Sequence, residues 1–182
     1  MEIAKQALEV PINDFELIKA LIYFIRTSFA KSEAINTLQQ CIDKEFIIKL
    51  LELLAIDNED IKLNIIWSLA NIALSDYIVK EIFIPLKVHV KLIELLQSES
   101  NRIKEQSLWA LANIVGDNVE VRDQIIQIGI IEQLSKILSK RVINANVLEN
   151  ATWLISNLSK NISPLFFPKV SFIIKCIDKR TG

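Results

Sequence analysis

The apolar positions of this chain recur at helical spacing, and the recurrence itself has a period. Ile48-Lys-Leu-Leu-Glu-Leu-Leu54 returns as Val90-Lys-Leu-Ile-Glu-Leu-Leu96 and, more loosely, as Glu132-Gln-Leu-Ser-Lys-Ile-Leu138. The pairs Leu53–Leu54, Leu95–Leu96 and Ile137–Leu138 step by 42 residues each time. A second, polar series runs alongside. Asn64-x-x-Trp67-x-x-x-Asn71 recurs as Gln106-x-x-Trp109-x-x-x-Asn113 and as Asn150-x-x-Trp153-x-x-x-Asn157, stepping by 42 and then 44 residues. The two added residues fall in the connection 139–146, where an insertion is tolerated.

Each unit reads as three helices. In the middle unit a short helix is expected over Asp76–Phe83, ending near Pro85, and a longer one over Leu86–Leu96. Gln97–Asn101 forms a polar turn, and a third helix runs over Arg102–Val115. Gly116 stops it, as a glycine suited to a left-handed position after a helix. Phe15–Phe29 reads as the last helix of a partial first unit, and Lys169–Ile177 has the pattern of a second helix. The boundaries are then one domain over 1–182, with a partial first repeat over 1–30, repeats over 31–74, 75–116 and 117–160, and a partial last repeat over 161–182. A short helix followed by two longer ones, with a period near 42, is the pattern of armadillo repeats. The expected fold is all-α, an armadillo right-handed superhelical solenoid. Stacked repeats need polar caps at their ends. The apolar last unit lacks a third helix, so it is expected to be part of a longer array or to pair with something else.

Composition narrows the picture. The 182 residues are 51% hydrophobic, with three Gly and four Pro, which argues against a turn-rich β protein. No apolar run reaches the length of a membrane span, and the first residues do not have the layout of a secretory signal. A net charge of −1 gives no global reason to bind nucleic acid or anionic lipid. Cys41 and Cys176 stand far apart and form neither a metal spacing nor a redox pair. His89 is the sole histidine, with no acid, base or nucleophile constellation around it, and no phosphate loop occurs. An enzyme is not expected, and neither is a cofactor or a metal.

The candidate chemistry lies in the repeated strip. Positions i, i+3 and i+7 share one helix face, so each copy presents amide, indole and amide in a row. One Trp on a helix is more often core than site. Three at the repeat period, each flanked by amides, describe a surface that grips an extended peptide. A carboxamide has donors and an acceptor for the N–H and C=O of one peptide residue. Asn71, Asn113 and Asn157 would form one row of such clamps, and Asn64, Gln106 and Asn150 another. Slots between Trp67, Trp109 and Trp153 suit the methylenes of Lys or Arg, with a cation–π attraction of about 0.5–2 kcal/mol per ring. Asp117, four residues after Asn113, is the candidate for fixing the charge, although a solvated turn or the cap of the next helix is at least as good a use for it. Glu105, Asp123 and Glu149 read most simply as exposed helix charges.

These residues resemble importin-α (karyopherin-α), the armadillo adaptor of nuclear import. Ile66-Trp-Ser-Leu-Ala-Asn71, Glu105-Gln-Ser-Leu-Trp-Ala-Leu-Ala-Asn113-Ile-Val-Gly-Asp117 and Asn150-Ala-Thr-Trp-Leu-Ile-Ser-Asn157 are similar to its second, third and fourth repeats, and Val121-Arg-Asp123 also fits. The resemblance spans about residues 15–177. It implies the major groove for basic nuclear localisation signals. Trp67, Trp109 and Trp153 would stack on basic side chains, and Asn71, Gln106, Asn113, Asn150 and Asn157 would hold the backbone. Asp117 would pair with the principal lysine. Ser75 and Lys80 stand near the places where the family uses a Gly and a hydroxyl residue to help hold that lysine. The resemblance further implies residence in cytoplasm and nucleus. The family's basic arm and its minor groove have no counterpart in these residues, so importin-β would be a partner only through an arm outside them. An armadillo scaffold outside transport, binding a different extended segment, is the alternative.

Overall fold

The computed structural model describes Tyr23, Thr27 and residues 42–116, 118–160 and 162–181, with side chains in the last helix placed as far as 174. The expected helix Phe15–Phe29 lies outside the described residues except for Tyr23 and Thr27, both helical, and Asp117 and Cys41 lie outside them altogether. Among the described residues there is no strand.

The helices are α1 Lys44–Leu54, α2 Glu59–Ile72, α3 Asp76–Ile78, α4 Val88–Leu95, α5 Asn101–Val115, α6 Val119–Gln127, α7 Ile130–Leu138, α8 Ala145–Ser159 and α9 Phe167–Thr181. Their starts are written in short polar side chains. The side chains of Asp43, Asn58, Ser75, Ser100, Asn118 and Asn144 each accept a backbone N–H three residues on, at the heads of α1, α2, α3, α5, α6 and α8. Each cap satisfies an N–H that the helix cannot pair internally.

The chain divides into two compact units, Met1–Val88 and His89–Gly182. In the first, α1 packs against α2. Phe46, Ile47, Leu50, Leu54, Ile61, Ile65 and Leu69 are buried between them, at positions three and four apart. The expected helix Asp76–Phe83 begins as α3 and widens into a π-helical turn over Val79–Phe83, where the Ile84 N–H reaches back five residues to the Val79 carbonyl. That turn sends Phe83, fully buried, into the core beside α1. The expected helix Leu86–Leu96 is shorter at its start, because Lys87 adopts φ +58 and breaks the helical path ahead of Val88.

In the second unit α5 and α8 form the principal pair, with α6 against α5 and α7, and α9 against α7 and α8. Leu108, Leu111, Val115, Ala151, Leu154 and Leu158 are buried completely along the pair. Gly116 ends α5 with φ +42 and ψ −129, so its positive φ matches expectation while its ψ lies outside the left-handed helical basin. Gly129 supplies the true left-handed link, φ +97 and ψ +24, between α6 and α7. The expected segment Lys169–Ile177 lies inside the longer α9.

Candidate peptide-binding face

On α5 nine of fifteen residues are buried. Those that are not buried are Asn101, Arg102, Glu105, Gln106, Trp109 and Asn113. From Arg102 onward they fall at intervals of three and four, so the helix offers solvent a single stripe. The sequence motif of this copy is that stripe. Trp109 and Asn113 are half-buried, and the corresponding indole of α8, Trp153, is 39% exposed.

Two hydrogen bonds fix how α5 and α8 meet. Near the helix starts, Asn146 Nδ2 donates to Glu105 Oε2 at 3.2 Å. Near their ends, Asn157 Nδ2 donates to the Ala112 carbonyl at 3.0 Å. The paired residues are 41 and 45 apart in sequence, so the helices run parallel with the offset of the repeat. Gln106, Trp109 and Asn113 are thereby brought alongside Asn150, Trp153 and Asn157.

The amides are not equivalent. Asn64 and Asn150, half-buried, donate to the carbonyls of Asp60 and Asn146 one turn back in their own helices, at 2.8 and 3.1 Å. Asn71 is buried at 8% and donates to the Trp67 carbonyl at 2.8 Å. Asn157 is buried at 6%, and its donor is committed to the neighbouring helix rather than its own. Asn71 and Asn157 therefore depart from the picture of open carboxamides. For Asn157 the reason is packing, since the end of α8 closes against α5. Gln106 Oε1 is shut off from solvent and has no donor.

In the first unit Trp67 is half-buried, with Asn64 and Asn71 on its face. Ser75 is buried, and its hydroxyl caps α3 by accepting the Ile78 N–H. Lys80 is exposed and lies 3.2 Å from Asp76, one turn back, so its ammonium is held in a local ion pair.

Of the three charges that read as plain surface in the sequence, Glu105 and Asp123 have partners here, and Glu149 is exposed. Glu105 is half-buried and bonded to Asn146. Asp123 receives two bonds from Arg122, at 2.8 and 2.9 Å. Arg122, with 3% of its side chain exposed, also donates to the Lys160 carbonyl at the end of α8. A guanidinium there satisfies a carbonyl the helix leaves unpaired and complements its dipole. The sequence shows no sign of this contact, because residues 122 and 160 meet only through the fold. Lys104 is buried on α5. Burial draws its ammonium below the ordinary lysine value, Lys140 repels it further, and Glu99 partly offsets both.

Among the described residues no cluster of three or more His, Cys, Asp or Glu could hold a metal ion, and no helix is long and apolar enough to cross a membrane. Residues 91–116 and 118–160 match the armadillo/beta-catenin-like repeat. A comparison with curated protein sequences gives no match. Among solved structures, a designed armadillo repeat protein in complex with the peptide (KR)4 aligns over 97% of this chain and 70% of its own, with TM-score 0.77 and 22% identity. Computationally designed armadillo repeat proteins for modular peptide recognition align over 95% of this chain and 68% of theirs, at TM-score 0.76 and 22% identity. A further designed armadillo repeat protein aligns over 85% and 62%, at TM-score 0.72 and 24% identity. The chain thus spans about two thirds of the length of these artificial relatives. The helical succession, the sequence match and these structures agree that the chain has the armadillo-repeat fold, with armadillo repeats at 91–116 and 118–160.

Proposed function

We propose that this chain is a peptide-binding adaptor that holds a Lys/Arg-rich segment, of the kind that serves as a nuclear localisation signal, extended along its Trp and carboxamide stripe. The observation that carries the reading is on α5. Beyond Asn101 at its start, the surface this helix offers is Arg102, Glu105, Gln106, half-buried Trp109 and Asn113, and α8 sets an exposed indole, Trp153, alongside it. Such a surface supplies ring faces for cations and amides for a backbone, and nothing that performs chemistry. The motif resemblance to importin-α supports transport as the setting, with residence in cytoplasm and nucleus. A designed armadillo repeat protein of similar fold is in complex with (KR)4, which supports a basic peptide as the ligand. Importin-β would join only through a basic arm outside these residues, and neither nucleic acid nor membrane is a partner in this reading.

The test is titration of the purified chain with a lysine-rich peptide, followed by fluorescence anisotropy. Binding should weaken with added salt. Trp109→Ala should weaken it about tenfold or more, as loss of a central aromatic anchor does. Equal affinity for a peptide with its lysines replaced by alanine would sink the proposal. A preference for acidic or apolar segments would move the chain to the scaffold reading outside transport.

A further inference from the structure

We infer that the end of α2 carries a subsite for a large apolar side chain, formed by Leu74 and Tyr77, so that the segment this chain binds has an aliphatic or aromatic residue beside its lysines or arginines. The inference rests on the peptide-binding reading and names a second element of its ligand.

Leu74 is 59% exposed and Tyr77 68% exposed. One apolar side chain in water is ordinary, but these two stand three residues apart, on either side of buried Ser75, in the turn that joins α2 to α3. Leu74 also prolongs the row of the peptide face. Asn64, Trp67, Asn71 and Leu74 step by three, four and three residues, a spacing that keeps one side of a helix. The Leu74 N–H donates to the Asn71 carbonyl at 3.2 Å, so the chain is still coiled where α2 gives way to the turn. The other copies do not repeat this position. Seven residues past Trp109 stands Gly116, which has no side chain, and seven past Trp153 stands Lys160.

The polar side chains of the turn are engaged locally. The Ser75 hydroxyl accepts the Ile78 N–H, and Asp76 lies 3.2 Å from Lys80. What the turn leaves uncommitted is the surface of Leu74 and Tyr77. An extended peptide crossing α2 at Trp67 and Asn71 points alternate side chains to opposite sides, and one that faces the end of α2 meets this surface. An apolar side chain there gains by leaving water, whereas a lysine would lay its methylenes on the patch and find Asp76 already paired. Glu81, exposed one turn past Tyr77, borders the patch, so an apolar residue with basic neighbours suits it better than one with acidic neighbours.

The experiment follows fluorescence anisotropy of the full chain with a lysine-rich peptide in which one leucine is moved position by position, beside a matched series carrying alanine. At one position leucine should bind about five- to tenfold tighter than alanine, as burial of an aliphatic side chain on open surface gives. In the double variant Leu74→Ser with Tyr77→Ser that ratio should fall to near unity. Both residues are exposed, so thermal melts of the variant should match wild type. Wild-type protein that binds the lysine peptide without a leucine-preferring position, or a preference that survives in the double variant, overturns this inference and leaves the peptide reading standing. A chain that sediments as a dimer and becomes monomeric in the double variant assigns the patch to a second copy, which also overturns it. Wild-type protein that binds no peptide of either series overturns both.

Discussion

At the scale of single residues, backbone geometry and burial make several positions sensitive. Gly116 sits at φ +42, and a Cβ there would lie 3.3 Å from the Asn113 carbonyl oxygen. Gly116→Ala should cost about 1–3 kcal/mol in urea unfolding, because an L side chain is strained at that φ and the nearest atom is backbone. Lys87 presents the reverse case, a side chain at φ +58 where glycine is at ease. Lys87→Gly should stabilise by about 0.5–1 kcal/mol, the relief of a left-handed residue less the added freedom of the unfolded chain. Lys104 gives a pH prediction. Its folded value lies below 10.5, so between the two values the unfolded chain binds more protons and stability rises with pH. At neutral pH the cost of burying the charge is fully present. Lys104→Met should raise stability there and flatten the rise, which denaturant titrations on either side of that interval would detect.

Between elements, the α5–α8 pair decides what a sequence motif becomes. Asn71 and Asn157 occupy the same place in their copies, yet one bonds within its own helix and the other bridges to Ala112. Asn157→Ala should therefore destabilise by about 1 kcal/mol, the loss of a buried bond between helices, while the Ala112 carbonyl keeps the Gly116 N–H. Asn71→Ala should cost less, because the bond it loses lies within its own helix and joins no second one. Comparing the two variants in thermal melts separates a bridging amide from one that serves only its own turn. Arg122 acts at the same scale. Arg122→Ala removes the donor at the end of α8 and the partner of Asp123, and should cost about 2–4 kcal/mol by the same measurement.

For the whole molecule, the balance of charge matters more than any single pair. With 21 basic and 22 acidic residues the chain has no net field to draw in a polyanion. Electrophoretic mobility assays with single- and double-stranded nucleic acid at physiological salt should show no retained complex, while a basic peptide competes locally for the α5–α8 face.

The period of 42 and the wide apolar faces announced an all-helical repeat fold, because helix formation and amphipathic burial depend on neighbours three, four and seven residues away. The stripe on α5 was legible for the same reason, since a helix with one polar row has one direction in which to turn it. What the linear order could not hold were the meetings of residues about forty apart. Asn157 found the Ala112 carbonyl, Arg122 found Lys160, and Glu105 found Asn146 only once the helices stacked. Which amides stay open and which are spent on packing is thus a property of layered helices: a repeat writes the same residue in each copy, and the neighbour that each copy meets determines its use.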